Sequence, residues 1–317
     1  MEKDFRIRPF APEDRESCLE LYNHVFPKKV KMSFWNWLYE ENTAGKSFIE
    51  TAWAGNKLIG LYGIVQMSMS AGGSAYKGAL SATAVTRPEY RYRGVFSALG
   101  KEVYRRAEED GIIAVYGFPT DHSRHGFQKS LGWNCITQGK ALINSISGDM
   151  APARARLYRL NSAEKELDLI WKRISGGPFR NAALTIRDCK YLEWRFFKHP
   201  EKKYSLILAE DDSGPAGYVA ASVKVDFGEE CCEVEDIIAS DVHCFRELIS
   251  YAGKKISSGG LVRIILPEES PFYRCVVGMG FRETGAKYYF GWKGLKNTTA
   301  FSGEWYYTIA DSADTQY

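Results

Sequence analysis

The order of patterned segments in residues 34–133 recurs in residues 191–281, and this recurrence restricts the chain to a duplicated α/β unit. Phe34-Trp35-Asn36-Trp37-Leu38-Tyr39 precedes an apolar strand pattern over 48–54. Tyr191-Leu192-Glu193-Trp194-Arg195-Phe196 precedes another over 204–210 at nearly the same spacing. Each is followed by a turn, at 55–57 and 211–215, and by a long strand pattern, at 58–69 and 217–225. A third strand (76–86, then 232–239), an amphipathic helix, a buried strand (112–116, then 261–266) and a short helix complete each copy. The copies close on Gly132-Trp133 and Gly280-Phe281. The expected fold class is α/β, an α+β mixed sheet in two tandem domains. Their expected bounds are 1–147 and 186–317, with 148–185 as a link carrying the breaker Ser175-Gly176-Gly177-Pro178.

The copies differ at one junction. In the first, Val85-Thr86-Arg87-Pro88-Glu89-Tyr90-Arg91-Tyr92-Arg93-Gly94-Val95-Phe96 carries a strand into a helix whose apolar face is Phe96, Leu99, Val103 and Ala107. In the second, Ile238-Ala239-Ser240-Asp241-Val242-His243 stands there, with no glycine and no basic cluster. A tight strand-to-helix turn leaves backbone N–H groups unpaired at the positive end of the helix dipole. Gly94 lets an anion approach closely, and Arg91, Arg93 and Arg87 add charge. Residues 87–106 hold six basic side chains against Glu89 and Glu102. A diphosphate suits such a turn in the first copy, and the second copy is expected not to bind phosphate in this way. A surface turn with solvated arginines is the plainer reading. Neither a Gly-x-x-x-x-Gly-Lys-[Ser/Thr] loop nor a Gly-x-Gly-x-x-Gly after a strand is present.

This run resembles the CoA-binding segment of the GCN5-related N-acetyltransferases, a strand, then Arg/Gln-x-x-Gly-x-Gly/Ala, then a helix. Arg91 and Gly94 match, and Phe96 stands where Gly or Ala is usual. Leu131-Gly132-Trp133 is similar to the family's closing Gly-Phe. The duplication resembles tandem members of the family. The resemblance implies a GNAT fold in both copies, the second one degenerate. It implies acetyl-CoA, or another acyl-CoA, as co-substrate held by Val85, Thr86, Arg91, Tyr92, Arg93, Gly94, Val95 and Phe96. It implies direct attack on the thioester by a primary amine of a small molecule such as an amino sugar or an aminoglycoside-like amine. Phe127 occupies roughly the place of the family's tyrosine acid and cannot donate. His122 and Asp121 are then the candidates for proton transfer, with Tyr116 a further candidate acid and the carboxylate of Tyr317 another by analogy with tandem relatives. A solvated loop is the plainer reading of His122 and His125. Two alternatives remain, a tRNA-dependent aminoacyl transferase of related fold and an acyl-CoA-binding module without catalysis.

Composition narrows the partners. The 317 residues carry a net charge of +3, too little for a nucleic-acid surface. The first 150 residues hold 19 basic against 16 acidic side chains and the rest 23 of each, so the excess lies with the turn. No apolar run suits a membrane span and the first residues lack a signal-peptide core, so a cytoplasmic protein without membrane contact is expected. Seven cysteines without a Cys-x-x-Cys pair indicate neither a zinc site nor a disulfide framework, and no metal is expected. Trp35/Trp37 and Trp194/Phe196 read as core or interdomain packing, with a substrate wall as the alternative. A homodimer is left open.

Overall fold

The computed structural model describes residues 4–146, 155–226, 228–296 and 299–313. The first copy runs β1 (Arg6–Pro9), α1 (Arg15–Val25), α2 (Met32–Tyr39), β2 (Ser47–Ala54), β3 (Lys57–Ala71), β4 (Ser74–Thr86), α3 (Val95–Glu109), β5 (Ala114–Gly117), α4 (Arg124–Leu131) and β6 (Asn134–Ser145). The chain continues through β7 (Arg156–Leu160), α5 (Glu166–Ser175), β8 (Leu184–Thr185) and α6 (Cys189–Leu192). It ends with β9 (Ser205–Asp211), β10 (Gly214–Asp226), β11 (Glu229–Ala239), α7 (Val242–Ile256), β12 (Leu261–Leu266), α8 (Tyr273–Gly278) and β13 (Arg282–Gly294).

The strands form one mixed sheet in the order β1-β2-β3-β4-β5-β13-β6-β12-β11-β10-β9-β7, with β8 paired to β3. Each copy builds an antiparallel meander that ends in a parallel pair, β4 with β5 and β11 with β12. The last strands are then exchanged. β13 of the second copy pairs antiparallel with β5 of the first, and β6 of the first pairs antiparallel with β12 of the second. β6 and β13 pair with each other at the centre. Parallel neighbours need a crossover, here α3 or α7; α3 packs on β2, β3 and β4, and α7 on β9, β10, β11 and β12.

The duplication is also visible across the copies. The Trp37 indole N–H donates to the Trp194 carbonyl at 2.8 Å, and the Trp194 indole N–H donates to the Trp37 carbonyl at 2.8 Å. The two rings stack 4.9 Å apart at 13°. Both are buried. These tryptophans therefore serve interdomain packing. A buried indole needs an acceptor, and each supplies the other's.

Within the expected link 148–185, the described residues 155–185 are not a plain connection. β7 is the edge strand beyond β9, paired from Arg156 with Glu210 to Leu160 with Leu206, and the second unit starts there. The apolar face of α5, Leu167, Ile170 and Ile174, is buried. The Ser175-Gly176-Gly177 breaker only terminates that helix. A five-residue edge strand exposes alternate residues to solvent on one side and carries little apolar signal, which is why the segment reads as a connection.

A second link runs through the core. The guanidinium of Arg187, fully buried, meets Asp236 at 3.3 Å and Asp311 at 2.5 Å and donates to the Thr185 carbonyl at 2.7 Å. Tyr218 and Thr308 hydroxyls donate to Asp236 at 2.5 and 2.8 Å. The cluster fastens residues 305–313 onto β10 and β11. Removing one partner of a buried ion pair costs about 3–5 kcal/mol. Arg187→Met should therefore lower stability by about that amount, read as the shift of a urea midpoint. Because the last strands are exchanged, fluorescence and far-ultraviolet circular dichroism should report one coincident transition. Two separate transitions would contradict the exchange.

Candidate active site

The junction after β4 is built by local chemistry. The Arg87 amide donates to the Ile59 carbonyl at 2.8 Å, the last bond of β4 to β3. A 3-10 turn over Pro88–Tyr90 follows, and the Arg91 amide is taken by the Pro88 carbonyl at 3.2 Å. Tyr92 (φ 63°) and Gly94 (φ 79°) are both left-handed. Tyr92 is the one non-glycine residue with positive φ among the described residues, and its side chain is fully exposed. The first α3 bond runs from the Ala98 amide to the Gly94 carbonyl at 3.0 Å. The amides from Tyr92 to Ser97 therefore have no hydrogen-bond partner among the described residues, and Gly94 offers no side chain to cap them. A Cβ built on Gly94 meets nothing closer than Ser97 Oγ at 3.9 Å, so open space lies above the turn.

The charge around the turn is positive. Arg91 and Arg93 are exposed and have no acidic partner among the described residues. The Arg93 guanidinium lies 5.3 Å from the Tyr90 ring centre. Arg87 is anchored from behind, its Nε donating to the Leu58 carbonyl at 2.8 Å. Glu89 is matched by Lys57 at 2.9 Å, and that hydrogen bond holds its carboxyl below the usual range. Alternating backbone, open amides and free arginines together make a nest for an anion.

The second copy shows the same junction closed. Asp241 caps α7, its carboxylate accepting from the His243 and Cys244 amides at 2.8 Å each. The chain's own anion sits where an external one would bind, so this copy is a structural duplicate at the turn. The gap beside β11 is filled as well, by the Tyr306 hydroxyl donating to the Ile237 carbonyl.

In the first copy the strands part to form a fork. β4 and β5 pair only from Gly78/Ala114 to Leu80/Tyr116. Ala82 is an extra residue against β3, a bulge that bends β4 at the point where pairing stops. Since the Arg87 amide faces β3, strand alternation turns the Ala84 and Thr86 amides toward the gap. Val85 points the other way, into the core. The gap opens beside the bare end of α3, so a ligand held by the turn can reach it.

Phe96 does not occlude the turn. Its ring stacks 6.0 Å from Tyr62 and meets Phe127 edge-on at 5.2 Å. It leans on Gly126 of α4, where a Cβ would stand 3.1 Å from the ring. A bulky residue on α3 is thus matched by a missing side chain on α4. A glycine inside an eight-residue helix was the available signal, since there it costs roughly 1 kcal/mol relative to alanine.

The structure scatters the proton-transfer candidates. Tyr116 is buried on β5, its hydroxyl 3.1 Å from Thr185 Oγ1, and burial pushes its pKa far up. Its ring lies 6.1 Å from Phe290 and 5.9 Å from Trp305. Asp121 is exposed and accepts from the Tyr289 hydroxyl at 2.7 Å, which raises the Tyr289 pKa. Arg124 stands 3.7 Å from the same carboxylate oxygen. His122 and His125 are exposed beside it. Tyr317 lies outside the described residues. Tyr289 comes from the exchanged β13, 168 residues from Asp121, and no local pattern announces that contact. Phe118, just past β5, packs against Phe290 and Tyr307, so the second half walls one side of the fork. A cavity of about 390 Å³ rimmed by Lys202, Lys224, Glu233 and Arg263 lies on the second unit, away from the turn.

Comparison with known proteins places this geometry. Residues 6–136 match the family model described as an acetyltransferase (GNAT) domain. No curated protein matches the sequence. A GCN5-related N-acetyltransferase from Anabaena variabilis ATCC 29413 is 14% identical, with 92% of this chain and 73% of that one covered and a TM-score of 0.71. One from Kribbella flavida is 17% identical, covers 90% and 70%, and has a TM-score of 0.67. A tandem GNAT protein from the clavulanic acid biosynthesis pathway is 12% identical, covers 93% and 99%, and has a TM-score of 0.57. At such identities the structures speak for the fold, and the matched model speaks for the first copy. Residues 6–136 thus match an acetyltransferase (GNAT) domain, and the chain as a whole is similar in fold to GCN5-related N-acetyltransferase structures, a tandem one among them.

Proposed function

We propose that the chain is an acyl-CoA-dependent N-acyltransferase that transfers an acetyl group to a primary amine of a small molecule. The observation that carries this reading is the row of open amides from Tyr92 to Ser97 beneath the unobstructed face of Gly94. Those amides, with Arg91 and Arg93, suit the diphosphate of CoA. The parted strands beyond Leu80/Tyr116 suit its pantetheine arm, with the Ala84 and Thr86 amides facing the arm.

Acetyl-CoA would supply the thioester. The chain would hold it extended, shield it from water with Phe96 and Phe127, and offer backbone donors to the carbonyl oxygen as charge develops there. The incoming amine would lose its proton to water or to the Asp121/His122 loop. An amino sugar or aminoglycoside-like amine is the acceptor class proposed. Among the described residues no helix is long and apolar enough to cross a membrane, and the reaction is proposed to take place in the cytoplasm. An acyl-CoA-binding module without turnover is the second reading, favoured by Phe127 at the place of an acid and by the enclosed Tyr116 hydroxyl.

Calorimetry with acetyl-CoA should show one site per chain, and thiol release with a panel of primary amines separates enzyme from module. Arg93→Ala should weaken binding about tenfold with an unchanged melting temperature, because Arg93 is exposed and has no ion-pair partner among the described residues. Gly94→Ala should weaken binding similarly and also destabilise the fold by about 1–2 kcal/mol, from left-handed strain without a clash. No binding at millimolar cofactor would end both readings.

A further inference from the structure

A chain of buried hydroxyls leads to the fork. Trp133 Nε1 lies 2.8 Å from the Tyr104 hydroxyl, Tyr104 2.6 Å from the Tyr62 hydroxyl, and Tyr62 2.8 Å from Ser81 Oγ. Tyr62, Tyr104 and Trp133 are buried, and Ser81 is half-buried. The direction of the chain is fixed by its inner end. An indole N–H can only donate, so Tyr104 accepts from Trp133. The Tyr104 proton then has Tyr62 as its acceptor, since the described residues offer it no other. The Tyr62 proton passes in turn to Ser81 Oγ. Reversing the order would strand the Tyr104 proton in the core without an acceptor. The Ser81 proton is left with no acceptor among the described residues.

Ser81 is the first residue of β4 beyond the last pair with β5. Opposite it stands Gly117, where a Cβ would lie 3.1 Å from Ser81 Cβ. The missing side chain lets β5 and the Trp133 ring, 3.2 Å from that position, close up against Ser81. Phe96 and Phe127 are each packed on Tyr62.

We propose that Ser81 is a hydrogen-bond donor to the bound thioester, held in place by Tyr62, Tyr104 and Trp133, and that it supplies the side-chain donor that Phe127 cannot. The inference rests on the transferase reading. The amine nitrogen forms the new C–N bond, the C–S bond breaks, and the electron pair leaves on sulfur. The amine proton goes to solvent and the thiolate takes one from it. Ser81 transfers no proton. Burial raises the Tyr62 and Tyr104 phenols well above the range of a thiol, so the chain passes on polarity and orientation rather than acid. Ser81 is the catalytic residue of the set, and the two tyrosines and Trp133 are positioning residues.

The test uses the full chain and acetyl-CoA, with thiol release measured with primary amines, or as slow hydrolysis when no amine is added. Ser81→Ala should lower the rate constant about a hundredfold, with CoA affinity within twofold and a modestly lower melting temperature, because the buried Tyr62 proton loses its acceptor. Ser81→Thr should recover most of the rate. Tyr62→Phe should lose several-fold in kcat without loss of KM, because it frees the Ser81 rotamer while the hydroxyl stays. A Ser81→Ala variant as fast as the parent, or one whose affinity falls with its rate, overturns the proposal. Failure of the parent to bind acetyl-CoA removes the transferase reading and this inference with it. Binding and turnover with an indifferent Ser81→Ala removes this inference alone.

Discussion

The exchange of β6 and β13 is the constraint on which the rest of the molecule depends. Without β13, the outer edge of β5 would be bare, and β5 is the strand that defines one side of the fork. It is only four residues long and can form few pairs of its own. β13 supplies the missing ladder along its whole length, from Gly291/Gly117 to Gly294/Ala114. The same strand brings Tyr289 to Asp121 and Phe290 to Tyr116 and Phe118. The first copy carries the open turn, and the second copy completes the strand beside it.

From one architectural plan the copies diverge by where a negative charge stands. A helix start can be satisfied by its own side chain or left for a ligand. Asp241 does the former with two short bonds; Gly94 does the latter by having nothing to offer. Together with the arginines that precede Gly94 and are absent before Asp241, this distinguishes an open helix start from a closed one. Closure of the second gap by Tyr306 and the Arg187 cluster follows the same logic. A pocket with no ligand to fill it is filled by the chain.

The parts legible in the sequence are those set by neighbours along the chain. The turn Arg91–Gly94 could be read because backbone geometry, helix dipole and charge act within a few residues. The repeat could be read because its aromatic pairs and turns recur in order. The exchange could not, because β6 and β13 look like ordinary closing strands and which sheet edge they join depends on partners far away in sequence. Ser81, Tyr62 and Tyr104 were silent for a similar reason. Each fits a strand or helix pattern by itself, and only register places their oxygens in line. The Asp121–His122 loop shows the reverse: chemistry-bearing residue types stood out in sequence, and the fold leaves them exposed.

Phe96 shows how a departure from a family pattern is absorbed. A small residue at that place allows a helix to lie close to its ligand, and a phenyl ring there takes up space. The ring has turned toward α4, where Gly126 makes room, and has become part of the aromatic frame around Tyr62. Once that frame is aromatic, Phe127 fits it better than a hydroxyl-bearing ring whose polar end would need its own partner. On the proposed reading the donor comes from the strand side of the fork, where a hydrogen-bonded hydroxyl stands. The change on α3 and the hydroxyl chain ending at Ser81 are two sides of one packing solution.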